Sequence, residues 1–450
     1  MTTAYAGRAQ AGPGTADRPR GPALPQTVED TGLSNEFIID LILKVLYTQG
    51  ARTGRQLVDT ICLPFPFVDE QLLPLQHRRL VEVRGVSGLS REGYVFDLTG
   101  EGRARAKDAI ESSQYVGPAP VPLDHYRHWV DLQSIRHAHV NREVVEQAFN
   151  WLVLPPGMLD QIGPAINSAK SLFLYGESGN GKTAMAETIA RLLGGSLYIP
   201  HAIEIDGQIM VLYDPVYHKP VVDEREAPGT VIEALLDERS KEHDQRYVLV
   251  HRPVVLTGGE LTMDQLDLQY DHHTKVYQAP FQMKANGGVL IVDDFGRQRM
   301  PPRDMLNRWI VPLEKRIDFL TLHTGSKFPV PFDVLLIMAT NIDPKALVEE
   351  AFLRRIHYKI KAESPSTEEW ERILRRYCES KGIEFTPFAK EYVYREFYQT
   401  YSIAPRACHP RDIIDHLLDI AKYLEVAPTL SADLVDRACR SYFLDFPTSS

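Results

Sequence analysis

The chain reads as an α/β protein: a mostly parallel sheet with helices, closed by a C-terminal helical lid and preceded by a small α+β domain. Three observations predict this. Between Leu123 and Tyr358, buried-strand runs such as Ser171–Tyr175 (SLFLY) and Val334–Asn341 (VLLIMATN) alternate with helical segments, the signature of a sheet whose strands are joined by helices. After Pro365 the apolar residues recur at helical spacing only. Before Tyr115, three helix-like segments are followed by two extended runs around a Gly/Ser loop.

At 450 residues the chain exceeds one ordinary core, so two or three domains are expected. Hydrophobic residues make up 44% and charged residues 24%, the usual balance of a globular protein. A net charge of -10 argues against a surface that coats nucleic acid or anionic membrane. The four cysteines, Cys62, Cys378, Cys408 and Cys439, are scattered without metal-ligand spacing and read as reduced thiols. Residues 1–33 carry no signal-peptide core, and no stretch is apolar enough to span a bilayer. The expectation is a cytoplasmic protein with no membrane insertion.

The domain boundaries follow from the pattern. Residues 1–33 lack periodicity and predict a disordered leader. Residues 34–115 form the small domain, with Ser34 capping a first helix, a second near Thr53, a third over Val68–Leu80 with a kink at Pro74, a hairpin, and a last helix from Thr99. Three helices and a hairpin is the order of a winged helix, which this segment resembles in pattern. Three prolines in Val116–Leu123 predict a stiff linker over 116–130. The α/β core then spans 131–362, and the lid 363–450 with helices at Thr367–Glu379, Pro387–Tyr398, Pro410–Leu424 and Ser431–Tyr442.

The sharpest motif is Gly176-Glu177-Ser178-Gly179-Asn180-Gly181-Lys182-Thr183, a full GxxxxGK[ST] phosphate loop between a strand run and a helix that ends at Gly194. Glycines let the backbone amides wrap a triphosphate at the helix N-terminus. Lys182 would neutralise the β- and γ-phosphates, and the Thr183 hydroxyl would ligate magnesium. Gly287–Asp294 (GGVLIVDD) reads as a buried parallel strand ending in two acids. Asp293 there suits Mg2+ through water, and Asp294 suits the polarisation of an attacking water. Asn341 ends a further buried strand, where it could orient water or touch the γ-phosphate. Arg354 and Arg355, in Glu350–Ile356 (EAFLRRI), are either surface ion-pair partners or guanidiniums offered to a neighbouring subunit's nucleotide. Arg411 opens a helix in the lid and either reaches phosphate or makes a helix contact.

Phosphate loop, acidic strand, Asn-ended strand, FLRR turn and lid arginine stand in the order found in AAA+ ATPases, which Trp151–Tyr442 resembles. The segments NGGVLIVDDF and LNRWIVPLEKR are similar to the MoxR and magnesium-chelatase branch. The resemblance implies ATP and Mg2+ as ligands, Asn341 as first sensor, Arg354 or Arg355 as arginine finger, and Arg411 as second sensor. It also implies a homo-oligomer, with a hexamer among the ring sizes, that hydrolyses ATP to remodel or regulate a protein client. The alternative is a nucleotide-switched regulator with slow hydrolysis, whose winged helix binds DNA or a protein. Two departures stand out: Asp294 where the family has Glu, and a long segment, His201–Met283, that is either an elaborated structural hairpin or a substrate-engaging loop region. His272 and His273 in this segment read as solvated loop residues.

Charge weighs against DNA. Residues 34–115 hold ten Lys or Arg against eleven Asp or Glu, and Asp69 and Glu70 open the helix that would enter a groove. A protein-docking role is the favoured expectation for this domain.

Overall fold

The computed structural model describes residues 21–88, 90–221, 243–347 and 353–443. They form two compact units. The first takes residues up to Pro122 together with Gly195–Glu204 and His218–Arg252; the second takes Leu123–Gly194, Ile205–Tyr217 and the chain from Pro253.

In the first unit Ser34 accepts a hydrogen bond from the Phe37 N–H and so starts α1 (Asn35–Gln49). A reciprocal capping box between Thr53 and Gln56 starts α2 (Gly54–Ile61). Helix α3 (Phe65–His77) begins a turn earlier than its apolar spacing suggests, because Pro66 falls in the first turn, where no N–H partner is required. Strands β1 (Arg52–Thr53), β2 (Val81–Val86) and β3 (Tyr94–Leu98) make an antiparallel sheet in the order β1-β3-β2, and Thr99 caps α4 (Gly100–Ser112). Ile38, Leu41, Leu57, Leu72 and Phe96 share its core.

Three expectations about boundaries need correction. Residues 21–33 are not a free leader: Val28 and Leu33 join this core, and Thr31 is fully buried. The reason lies far along the chain, where the buried Arg246 donates to the Thr31 carbonyl at 2.9 Å and the Asp244 N–H donates to that of Pro22 at 2.8 Å. Residues 1–20 lie outside the described residues. The stretch 116–130 is not a free linker either. Ala119 and Val121 are buried, the Ala119 N–H donates to the Ile61 carbonyl, and Leu123–Leu132 is a helix. Extended proline geometry here serves packing rather than reach. Finally, the 131–362 stretch does not fold as one body. Ser196–Pro200 pairs antiparallel with Tyr247–His251 inside the first unit, and Val121–Pro122 runs parallel to Ile203–Glu204. Elsewhere in the long segment, Gln208–Val211, Gln269–Asp271 and Val276–Gln278 form strands of the second unit, and residues 222–242 lie outside the described residues.

The second unit carries a five-stranded parallel sheet. Its strands are β4 (Leu172–Tyr175), β5 (Val254–Thr257), β6 (Val289–Val292), β7 (Leu335–Thr340) and β8 (Tyr358–Lys361), in the order β5-β6-β7-β4-β8. Every residue of β6 and β7 is buried, as in a strand covered on both faces. Alternate residues serve opposite cores. Leu172, Leu174, Ile291 and Ile337 pack against Met185 and Ile189, while Phe173, Leu290 and Met338 pack with Trp309 and Phe332. The chain is thus an α/β P-loop fold. Its lid consists of α6 (Thr367–Lys381), α7 (Pro387–Tyr392), α8 (His409–Tyr423) and α9 (Ala432–Tyr442), around Trp370, Leu417 and Val435. A π-helical stretch, Val393–Gln399, continues α7, so the expected single helix over Pro387–Tyr398 changes its winding there. No helix among the described residues is long and apolar enough to cross a membrane.

Candidate nucleotide-binding site

The phosphate loop joins β4 to α5 (Lys182–Leu192). Gly176, Gly179 and Gly181 have φ of 138°, 84° and 78°, a left-handed backbone that side chains resist. At Gly176 glycine is also required by space, since a Cβ would collide with the Ala362 carbonyl oxygen at the end of β8. Asn180 is buried and braces the loop: its amide donates to Ser364 Oγ at 3.2 Å and to the Ala362 carbonyl at 3.4 Å, and its Oδ1 accepts from the Ala407 N–H at 3.2 Å. Glu177 and Ser178 are exposed at the tip.

Lys182 is only 8% exposed. Its Nζ donates to the Gly176 and Glu177 carbonyls, both at 2.9 Å. Burial lowers its pKa, outweighing the opposing pull of Asp293, Asp294 and Glu177. A desolvated ammonium hydrogen-bonded to two carbonyls is a strong attractor for an anion.

Strand β7 lies between β4 and β6, and the parallel registers Thr340↔Tyr175 and Val292↔Met338 bring all three C-terminal ends to one edge. There the Thr183 hydroxyl donates to Asp293 Oδ2 at 2.7 Å, closing the loop onto the acidic strand. Asp293 Oδ1 accepts the Asp294 N–H at 3.0 Å. Asp294 is exposed and itself left-handed, with φ 48°. Asn341 follows β7 at the same edge, and its buried Oδ1 has no hydrogen-bond partner among the described residues, an acceptor left waiting for a donor.

The remaining candidates separate. Arg355 donates to Glu314, whereas Arg354 is exposed. Glu350, Ala351 and Phe352 of the same motif lie outside the described residues. Arg411 pairs with its neighbour Asp412 at 2.8 Å. The lid arginine that reaches the loop is Arg406, 3.8 Å from Glu177 and close enough to Lys182 to depress that ammonium. Sequence reading missed Arg406 because it sits in the irregular turn before α8, not on the helix. The same turn puts the Cys408 N–H on the Gly179 carbonyl at 2.9 Å. Asn180 as a strut and Gln298, which fastens the turn after Asp294, were missed as well. Neither has a pattern of its own.

Left-handed glycines around a loop of amides, a buried lysine and a Thr–Asp pair have the chemistry to hold a polyphosphate with a divalent cation.

Residues 366–441, the lid, match a family model described as a domain of unknown function (DUF8689). No curated protein matches the chain. Among solved structures it is similar to NtrX from Brucella abortus, at 14% identity over 74% of this chain and 60% of that one, with a TM-score of 0.39. The same protein in complex with ATP gives 15% identity, 74% and 62% coverage and a TM-score of 0.37. The RuvB Holliday junction branch migration motor of Thermotoga maritima gives 13%, 69% and 74%, with a TM-score of 0.33. The chain spans about three fifths of the NtrX length it matches.

Proposed function

We propose that this chain is an AAA+ ATPase that binds and hydrolyses ATP with Mg2+ and acts on a protein partner as a homo-oligomer. The observation that carries the reading is the 2.7 Å contact between Thr183 Oγ1 and Asp293 Oδ2, beside a buried Lys182. Residues 110 positions apart meet where a magnesium triphosphate needs one hydroxyl and one carboxylate.

The geometry supports one set of roles. Loop amides and Lys182 hold the phosphates; Thr183 and Asp293 hold the metal, which when bound offsets phosphate charge. Asp294 orients the attacking water, and its short side chain favours slow turnover. Asn341 supplies an unsatisfied acceptor for that water. Arg406 takes the lid-arginine role in preference to Arg411. Arg354 or Arg355 is the finger offered to a neighbouring subunit.

The first unit has the order of a winged helix, and we read it as a protein-docking module. Four of the ten basic side chains of residues 34–115 pair with acids of the same unit: Arg84 and Arg103 with Asp97, Arg91 with Asp69, and Arg105 with Asp40. Ten Lys or Arg against eleven Asp or Glu over residues 34–115 leave no excess of positive charge to replace phosphate counterions.

The test is steady-state phosphate release by the purified chain and by Lys182→Ala. Turnover that disappears in the variant supports the proposal; turnover that survives it, or no saturable uptake of a fluorescent ATP analogue with magnesium, ends it.

A further inference from the structure

One side chain with no place in the phosphate-loop chemistry makes three hydrogen bonds to the turn that follows the acidic strand. Gln298 Nε2 donates to the Asp293 carbonyl at 3.0 Å and the Asp294 carbonyl at 3.2 Å, with a longer 3.4 Å approach to that of Gly258. Its Oε1 accepts the Gly296 N–H at 2.8 Å. The amide therefore spans both sides of the turn and touches the chain leaving β5.

That turn needs holding. Asp294, a residue with a Cβ, sits at φ 48°, where the backbone costs about 1 kcal/mol or more. Gly296 follows at φ 100°. The backbone adds the Asp293 N–H to the Thr257 carbonyl at 2.8 Å, the Arg297 N–H to that of Asp294 at 3.0 Å and the Phe295 N–H to that of Ala339 at 2.7 Å, and Thr340 Oγ1 donates to the Phe295 carbonyl at 2.6 Å. On the β5 side the Gly258 N–H is itself fixed by Glu260 Oε1 at 2.8 Å. Where the Asp294 carboxylate points is set by this left-handed backbone, and the backbone is clamped by Gln298.

We infer that Gln298 is a positioning residue for ATP hydrolysis: by gripping the carbonyls of Asp293 and Asp294 and the amide of Gly296, it aims the Asp294 carboxylate at the water. The inference rests on the ATPase reading and deepens it. Gln298 touches neither phosphate nor metal, so its loss acts on turnover rather than on nucleotide uptake.

The experiment compares kcat and KM for ATP in the full chain, Gln298→Ala, Asp294→Asn and the double variant, with fluorescent-ATP uptake as the check on folding. Misplacing a reacting group by about 1 Å costs up to about 100-fold, so Gln298→Ala should lower kcat about 10- to 100-fold with KM within about threefold. Because Gln298 acts through Asp294, it should cost nothing further on the residual turnover of Asp294→Asn. Equal kcat in Gln298→Ala, or a full added loss in the double variant, overturns the inference while leaving the ATPase reading intact. No turnover in the unmutated chain ends both. Should Gln298→Ala fail to take up nucleotide, Gln298→Glu is read in its place, since it keeps the acceptor for Gly296 and replaces the donor. Loss of uptake there too assigns Gln298 to the fold and overturns the inference.

Discussion

The Cys408 backbone N–H donates to the Gly179 carbonyl at 2.9 Å, so the lid is hydrogen-bonded to the phosphate loop itself. With Ala407 N–H on Asn180 Oδ1, two consecutive lid amides are committed to two loop residues. Loop conformation and lid position are therefore one variable, which gives a nucleotide in the loop a direct route to the helices behind it.

Arg406 and Arg411 can be told apart by binding. Charge-assisted hydrogen bonds contribute about 1.5–3 kcal/mol, or about 10- to 100-fold in affinity. Arg406→Ala should weaken ATP by that factor in a fluorescent-analogue titration. Arg411→Ala, whose guanidinium is engaged by Asp412, should change it by less than about threefold. The reverse order of effects would restore the helix-opening arginine to the nucleotide.

Gly179 tests the contact between loop and lid. A Cβ there would lie 2.5 Å from Cys408 Sγ, and φ is 84°. Gly179→Ala should lower ATP affinity and melting temperature together. Adding Cys408→Ala should recover part of the melting temperature, because it removes the sulfur but not the backbone strain, which remains at about 1 kcal/mol. Full recovery would mean that the left-handed backbone is not needed; no recovery would mean that the sulfur is not the obstacle.

These contrasts show what sequence could and could not deliver. The loop, Asp293 and the strand ends were legible, since glycine spacing and apolar runs ending in polar residues are local patterns with local causes. Arg406 was not, because its value comes from an irregular turn that places it 3.8 Å from Glu177, and nothing in RACHP marks that turn. The N-terminal leader misled for a similar reason. Residues 21–33 look polar and aperiodic, yet the Thr31 carbonyl accepts from a buried arginine more than 200 positions away. Partners supplied from such a distance leave no periodicity to read.

That arginine gives a stability test for the first unit. Arg246 and Asp244 are 2% and 4% exposed and pair at 2.7 Å, and Arg246 also donates to the Thr31 and Pro120 carbonyls. Arg246→Ala strands a buried carboxylate and should cost about 3–5 kcal/mol. Thermal unfolding of the full chain should show the loss in a transition that ATP does not shift. A change within about 0.5 kcal/mol would mean that water replaces the guanidinium there.

His409 supplies a pH test for the lid. Burial, with the Arg406 charge as second cause, pushes its imidazole down to about 4 from an ordinary 6.5, against the opposing pull of Asp412. It is 4% exposed; Nδ1 meets Tyr398 Oη at 2.9 Å, and the rings of Tyr442 and Phe443 close around it. Above pH 6.5 the residue is neutral folded or unfolded and contributes no pH dependence. Between 6.5 and 4 the unfolded chain takes up a proton that the folded lid refuses, so stability falls as pH drops through that window. His201 is pushed to about 4 as well, in the first unit, so the comparison must isolate the lid. His409→Gln should lose less melting temperature between pH 7 and pH 5 than the unmutated chain. The Arg406 turn, whose carbonyl accepts the His409 N–H at 3.2 Å, should loosen with acid only when the histidine is present. Hydrogen exchange across residues 406–412 at the two pH values reads that turn directly. Equal acid sensitivity in both chains would place the proton elsewhere.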